Sequence, residues 1–226
     1  MRRVVEITYR DQLDIFDPAD WTWPVHVIGL GGIGSALLLP LAKIGVGEIH
    51  IWDDDRVEAH NVPAQMLYRK SDVGRKKVDA ALDVIGQYEL PVTLIGHDQW
   101  VDETTDLEGV VLSGVDSMLS RKAIWQAVKD NALVPLYMDG RIASEFAQVL
   151  TIDPVNQSDI EEYEGAWLFD DASATALPCA SRTIIHPPLQ VAAWMTANLT
   201  LFARGERLEV HQIGNLGVSQ YTAGVR

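Results

Sequence analysis

A glycine-rich turn, GLGGIG over residues 29–34, follows a short apolar run and precedes a pattern typical of an apolar helix. Gly29, Gly31 and Gly34 have the spacing G-x-G-x-x-G, and Gly32 belongs to the same turn. Glycines let the backbone turn tightly and bring its N–H groups to an anion at a helix N-terminus. The turn therefore predicts a site for the phosphates of NAD, FAD or ATP, and a purely structural strand-to-helix turn is the alternative.

Acidic and amide side chains follow the next apolar run. Asp53 lies nineteen residues after Gly34, where dinucleotide-binding folds place the acid that binds a ribose hydroxyl. Asp55, Asn61 and Gln65 continue the pattern D-x-D-x-V-x-x-x-N-x-x-x-Q. Asp53 alone is compatible with NAD, but the polar residues after it are not typical of NAD enzymes.

Two further charged residues lie near the predicted ends of elements. Lys77 is near the start of a predicted helix over residues 74–89, and Asp116 ends a predicted strand over residues 109–116. Each has a structural alternative: Lys77 as an exposed helix charge, Asp116 as a helix N-cap, Asn61 as a turn former and the acids before it as a solvated turn.

Strands and helices alternate along the chain. Predicted strands cover residues 24–30, 48–53, 92–97, 109–116, 133–141 and 146–154, predicted helices cover residues 35–47, 74–89, 120–131 and 189–205, and a hairpin covers residues 207–222. This order predicts one α/β domain with a doubly wound, Rossmann-like mixed sheet and helices on both faces. Pro40 should bend the first helix. Residues 154–188 are predicted to form an irregular crossover segment that carries Cys179.

Composition excludes several classes of protein. The formal charge of −14 argues against a nucleic-acid partner, because binding phosphates requires clustered cations. Cys179 is the single cysteine, so neither an internal disulfide nor a cysteine-based zinc site is expected. No run of about 18 apolar residues predicts a membrane span, and the N-terminus has no signal-peptide pattern. We therefore expect a cytoplasmic protein without zinc.

The order of the polar residues resembles that of the ThiF/MoeB/HesA family, which is related to ubiquitin-activating enzymes. The resemblance covers roughly residues 9 to 205 and includes Asp116, Arg121 five residues later, and the sequence MDGR. It implies an ATP-dependent adenylyltransferase that activates the C-terminal carboxylate of a small ubiquitin-like or peptide partner.

The resemblance also implies roles for individual residues. The glycine turn would hold the ATP phosphates, Asp53 the ribose, and Lys77 would contact the phosphates, with Asn61 as a further polar contact. Asp116 would position Mg²⁺. These roles agree with the chemistry, because attack of a carboxylate on the α-phosphorus concentrates negative charge that a cation and a metal can stabilise.

The chain departs from the family pattern at two places. Ala64 stands where MoeB-like members have an arginine that binds the triphosphate, and Arg69, Lys70 and Arg75 are the candidate replacements. Arg10, in the sequence YRDQ, is shifted by one place from the arginine that family members supply across a homodimer. The resemblance thus implies a homodimer in which Arg10 acts on the site of the other subunit.

Cys179 lies in the sequence LPCASRTIIHPP, which resembles the stretch around the catalytic cysteine of ubiquitin-activating enzymes. A thiolate there could receive the acyl group from the adenylate as a thioester, and a nearby Arg182 or His186 would favour the thiolate. The alternative is a small buried apolar residue. Two other functions stay open: an NAD-dependent Rossmann oxidoreductase and a non-catalytic partner subunit of an activating enzyme.

Overall fold

Short apolar runs become the strands of one sheet in a computed structural model of the protein, which describes residues 6–169, 184–217 and 220–225. The strands are β1 (Val25–Ile28), β2 (Glu48–Trp52), β3 (Thr93–His97), β4 (Val110–Ser113), β5 (Leu136–Ala143), β6 (Phe146–Ile152), β7 (Glu209–Asn215) and β8 (Gln220–Val225). Their order in the sheet is β3-β2-β1-β4-β5-β6-β7-β8. Strands β1 to β5 pair in parallel, and β5 to β8 pair antiparallel.

Helices cover both faces of the sheet. They are α1 (Gly32–Ile44), α2 (Lys77–Gly86), α3 (Met118–Val128), α4 (Gln157–Glu162) and α5 (His186–Ala203). On one face, buried residues of α1, α2 and α5 form an apolar cluster with strand residues such as Val27. On the other face, buried residues of α3 and α4 form a second cluster with strand residues such as Ile28. The predicted doubly wound mixed sheet is therefore confirmed. No described helix has the length and hydrophobicity that crossing a membrane requires.

Two elements differ from the sequence prediction. Helix α1 begins at Gly32, within the glycine turn, and continues through Pro40 to Ile44. The segment 154–188, predicted to be irregular, contains α4 and a π-helical turn over Tyr163–Trp167. Helix α4 forms because the side chain of Asn156 accepts hydrogen bonds from the first free N–H groups of the helix. Residues 170–183 of this segment lie outside the described part of the chain.

Candidate active site

The glycine turn joins the ends of β1 and β2 and begins α1. Gly29 has φ +85° and donates its N–H to the Trp52 carbonyl at 2.9 Å. A Cβ on Gly34 would lie 1.8 Å from the Gly29 oxygen, so only glycine fits there, whereas a Cβ on Gly31 would meet no atom within 4 Å. Gly31 is the N-cap of α1, and no side chain of the described residues caps this helix. The first N–H groups of α1 are therefore available to an anion.

Asp53 lies directly behind this turn. Its Oδ2 accepts a hydrogen bond from the Leu30 N–H at 2.7 Å, and its Oδ1 accepts one from the Asp55 N–H at 2.9 Å. Burial raises the pKa of Asp53, and the neighbouring Lys77 ammonium opposes this effect. The carboxylate is thus fixed at the carboxyl end of β2, beside the glycine turn, rather than in a solvated turn.

Lys77 is the first residue of α2, and its side chain is only 8% exposed. Its Nζ lies 2.7 Å from Asp55 Oδ2 and 3.3 Å from Asp53 Oδ2. Burial acts to lower the pKa of Lys77, but the two carboxylates outweigh it, and the pKa is raised. The alternative of an exposed helix charge is wrong. The carboxylates of the acidic triplet Asp53–Asp55 lie close enough to share a cation, and two of them, those of Asp53 and Asp55, contact the Lys77 ammonium.

The loop after this triplet is tied to α1. Asn61 is buried and its Oδ1 accepts the Glu58 N–H at 2.8 Å, so its turn-forming role is confirmed and its contact with phosphates stays a prediction. Ser35 of α1 accepts the Met66 N–H at 3.0 Å. The Oε1 of Gln65 is buried with no hydrogen-bond partner among the described residues. An unpaired buried acceptor is costly, so this oxygen is available to a donor.

Asp116 follows β4 and is exposed. It is not the N-cap of α3, because that position belongs to Ser117, whose Oγ accepts the Ser120 N–H at 3.0 Å. Within the described ranges, no hydrogen bond or ion pair engages the Asp116 carboxylate. A free carboxylate at the carboxyl edge of a parallel sheet suits a magnesium ligand, so the donor type fits the predicted metal.

Arg121 holds the backbone beside Asp116. Its Nη2 donates to the Val115 carbonyl at 2.5 Å and to the Gly140 carbonyl at 3.3 Å, and its Nε donates to Asp139 Oδ1 at 3.0 Å. Burial acts to raise the pKa of Asp139, but Arg121 and Arg141 outweigh it and lower the pKa. Arg121 thus links the backbone next to Asp116 to Asp139 and Gly140 of the MDGR sequence.

The structure does not bring Arg10 to the glycine turn of its own chain. Arg10 is 81% exposed and pairs with Asp11 at 2.9 Å. Gln12, in the same 3₁₀ turn, donates to the Ile44 carbonyl at the C-terminal end of α1 at 2.7 Å. The 13 residues of α1 span about 20 Å, which separates Arg10 from the N-terminus of this helix.

Two of the three candidate replacements for the arginine missing at Ala64, Arg69 and Arg75, are engaged elsewhere. Arg75 pairs with Asp72 at 3.0 Å and with Asp83 at 2.5 Å, and the guanidinium of Arg69 donates to Gln87 at 2.9 Å. These contacts lie along α2 and the turn before it. The predicted replacement by Arg69 or Arg75 therefore has no support in these contacts. Cys179 and Arg182 lie outside the described residues.

Sequence reasoning missed a cavity at the ends of β2 and β3. Its lining residues are Trp52, Gln99, Trp100, Asp102, Thr104, Thr105 and Asp106. Trp52 directly precedes Asp53, and Trp100 is 45% exposed in the loop after β3. A tryptophan among polar residues, three positions after the end of β3, is the signal that could have predicted this aromatic surface.

Comparison with known proteins identifies similar chains. A model of the ThiF family matches residues 22–214. The adenylyltransferase and sulfurtransferase uba4 of Emericella nidulans is 41% identical over 73 residues, which are 32% of this chain and 15% of that protein. The Nedd8-activating enzyme E1 catalytic subunit of Drosophila melanogaster is 33% identical over 104 residues, 44% of this chain and 23% of that protein. The matches thus span less than a quarter of these relatives.

Solved structures share the fold. PaaA has a TM-score of 0.70 at 22% identity, covering 96% of this chain and 74% of its own. Escherichia coli MccB with ATP has a TM-score of 0.71 at 18% identity, covering 92% of this chain and 65% of its own. The arrangement of strands and helices is therefore that of these proteins.

Proposed function

Since this chain belongs to the ThiF family, we propose that it is an ATP-dependent adenylyltransferase that activates the C-terminal carboxylate of a small ubiquitin-like or peptide partner. The observation that carries this proposal is the position of Lys77, whose buried ammonium faces Asp53 and Asp55 beside the open N-terminus of α1. The names of relatives that act as adenylyltransferases and E1 subunits support it. The family match favours this reading over an NAD-dependent oxidoreductase.

The nucleotide would lie along the carboxyl ends of the parallel strands. Its phosphates would bind the N-terminal N–H groups of α1 at Gly31 and Gly32. Its ribose would bind Asp53, which the Leu30 N–H holds in place. Its base would enter the cavity lined by Trp52 and Trp100, because aromatic side chains stack on bases.

Lys77 would stabilise the negative charge that builds on the phosphate oxygens when the partner's carboxylate attacks. Asp55 is 69% exposed, so a phosphate oxygen can replace it beside Lys77 at small cost, while buried Asp53 keeps the ammonium in place. Asp116 would hold Mg²⁺, whose role is to neutralise phosphate charge. Arg121 would keep Asp116 in position through the Val115 carbonyl.

The finer parts of the proposal come from the resemblance. Arg10 would act on the site of a second subunit in a homodimer, which agrees with its distance from the glycine turn of its own chain. Cys179 would then receive the acyl group as a thioester. We propose a cytoplasmic location, no zinc, and no nucleic-acid or membrane partner.

Partner-dependent exchange of pyrophosphate into ATP tests the activity. Small proteins that end in Gly-Gly and peptides with a free carboxylate serve as partners, and the same molecules with a C-terminal amide serve as controls. We expect exchange with at least one free-acid partner and none with its amide. Tight ATP binding without exchange would favour the non-catalytic subunit, and tighter binding of NADH than of ATP with Mg²⁺ would favour the oxidoreductase. Light scattering tests the homodimer, and a monomer that still exchanges would remove the role of Arg10.

A further inference from the structure

Three histidines on neighbouring strands form a row beneath Trp52, here named the imidazole ladder: His26 of β1, His50 of β2 and His97 of β3. His26 is opposite His50, and Trp52 is opposite His97 in the sheet register. The rings are close to parallel, with centroids 4.6 Å apart for His26 and His50 and 3.7 Å apart for Trp52 and His97. The ladder and Trp52 therefore share one face of the sheet, below the cavity.

The hydrogen bonds of the ladder fix the neutral tautomers. An indole N–H can only donate, so the Trp52 Nε1–H donates to His26 Nδ1 at 3.0 Å, and neutral His26 carries its proton on Nε2. Glu48 Oε1 accepts from His50 Nε2 at 3.0 Å. His50 Nδ1 is then an acceptor, and His97 Nε2, at 2.9 Å, is its donor.

Trp52 has two separate anchors. Its carbonyl accepts the Gly29 N–H, which ties its backbone to the glycine turn. Its indole is held by His26 and stacked on His97 while it lines the cavity. Because His26 is buried, no water replaces Nδ1 as the acceptor of the indole N–H. Loss of that acceptor would leave a buried donor unpaired, and the ring would turn toward the cavity to find water.

We propose that His26 is a positioning residue for the base of the nucleotide: its Nδ1 fixes the Trp52 indole as a wall of the cavity. This inference rests on the proposed function, because it takes a nucleoside triphosphate as the ligand. The phosphates bind the glycine turn, which depends on the Trp52 carbonyl and not on its indole. His26 therefore contributes to affinity for the nucleoside part alone.

The test compares two probes, ATP and inorganic tripolyphosphate, each with the same Mg²⁺ concentration, by calorimetric titration of the full chain. In His26→Leu, we expect ATP to bind about fivefold more weakly, the equivalent of one net hydrogen bond, with tripolyphosphate unchanged. In His26→Asn, the amide Oδ1 can replace Nδ1 as the acceptor, and we expect ATP affinity close to that of the wild type.

A second variant keeps the test decisive if His26→Leu folds poorly. Trp52→Phe keeps an aromatic ring but removes the N–H donor, so it should also weaken ATP and not tripolyphosphate, and adding His26→Leu should cause no further loss. Equal losses for both probes, unchanged ATP affinity in His26→Leu, or no recovery in His26→Asn would each overturn the inference. Failure of the wild-type chain to bind ATP at all would instead overturn the proposed function beneath it.

Discussion

Replacement of Lys77 by methionine removes one ammonium from the candidate site and keeps a side chain of similar length. The Nζ of Lys77 lies 3.3 Å from Asp53 and 2.7 Å from Asp55. If Lys77 stabilises charge on the phosphates, pyrophosphate exchange should fall about a hundredfold or more, as expected for the loss of one preorganised stabiliser. Lys76→Met is the matched control, because Lys76 is the adjacent residue and pairs with Asp98 outside the site.

The same variant has a second, thermodynamic signature. Asp53 loses its buried cation but keeps its two backbone N–H donors, so the free energy of unfolding should fall by about 2 kcal/mol near neutral pH. Burial already raises the pKa of Asp53, and removal of Lys77 raises it further. Folded Asp53 then binds a proton more readily than unfolded Asp53, so the deficit should shrink as the pH falls through the raised pKa.

Urea denaturation at pH 7.5 and pH 5 measures this deficit for Lys77→Met, Lys76→Met and the wild type. We expect the free energy of unfolding to be lower than that of the wild type only in Lys77→Met, and the decrease to be smaller at pH 5 than at pH 7.5. Wild-type exchange in Lys77→Met, with the partner that supports exchange in the wild type, would refute the role of the ammonium. A deficit of equal size at both pH values would refute the coupling to Asp53.

Four further predictions concern other parts of the molecule. Asp116→Asn should reduce the rate of pyrophosphate exchange about a hundredfold. Its free energy of unfolding, from thermal denaturation, should stay within about 0.5 kcal/mol of the wild type, because the Asp116 carboxylate is exposed. A wild-type exchange rate would exclude Asp116 as a metal ligand. Gly34→Ala should destabilise the fold by about 3 kcal/mol or more in urea denaturation, since its Cβ would collide with the Gly29 oxygen, whereas Gly31→Ala should fold normally; equal stability of the two would contradict the close packing. Cys179→Ala should leave pyrophosphate exchange intact and abolish the reducible covalent adduct with the partner on a non-reducing gel. Persistence of this adduct would show that Cys179 does not carry the acyl group and would favour a packing role. Burial lowers the pKa of His26 to about 4, so as the pH falls the unfolded chain takes up a proton at His26 before the folded chain does. About 3 kcal/mol of the free energy of unfolding that is present above about pH 6.5 should therefore be lost as the pH falls to about 4. Denaturation curves of His26→Asn, measured over the same pH range, should lack this part of the pH dependence.

The parts of the fold that could be predicted from sequence depend on local patterns. The apolar runs that became β1 and β4 are buried along their whole length, and β2 is buried at Ile49, Ile51 and Trp52. Such runs between turn residues indicate parallel strands. The glycine turn and the spacing to Asp53 are equally local. The predicted helix begins three residues after the start of α1, because glycines are poor helix formers. Yet a glycine is needed at position 34, where a Cβ would collide with the backbone of Gly29.

The parts that could not be predicted depend on contacts between distant residues. Asp116 and Ser117 are both good N-caps, and only the path of the chain after β4 decides that Ser117 caps α3. The burial of Lys77 depends on the approach of α2 to the acidic segment after β2, and the partner of Arg121 lies 18 residues away on β5. The cavity beside Trp100 arises from a loop without periodicity, so a tryptophan among polar residues is the one feature of the sequence that marks it.

Trp52 joins the three parts of the proposed nucleotide site. Its carbonyl accepts the Gly29 N–H in the glycine turn proposed for the phosphates. Its ring lines the cavity proposed for the base, and the next residue along the chain is Asp53, proposed for the ribose. The hydrogen bond of the Trp52 carbonyl to Gly29 involves only the backbone, whereas the hydrogen bond of the indole to His26 involves only side chains, so the two can be changed separately. A substitution that alters only the indole contact should therefore affect the base and spare the phosphates. A substitution at Gly29, whose positive φ and N–H both serve the turn, should weaken ATP and tripolyphosphate together.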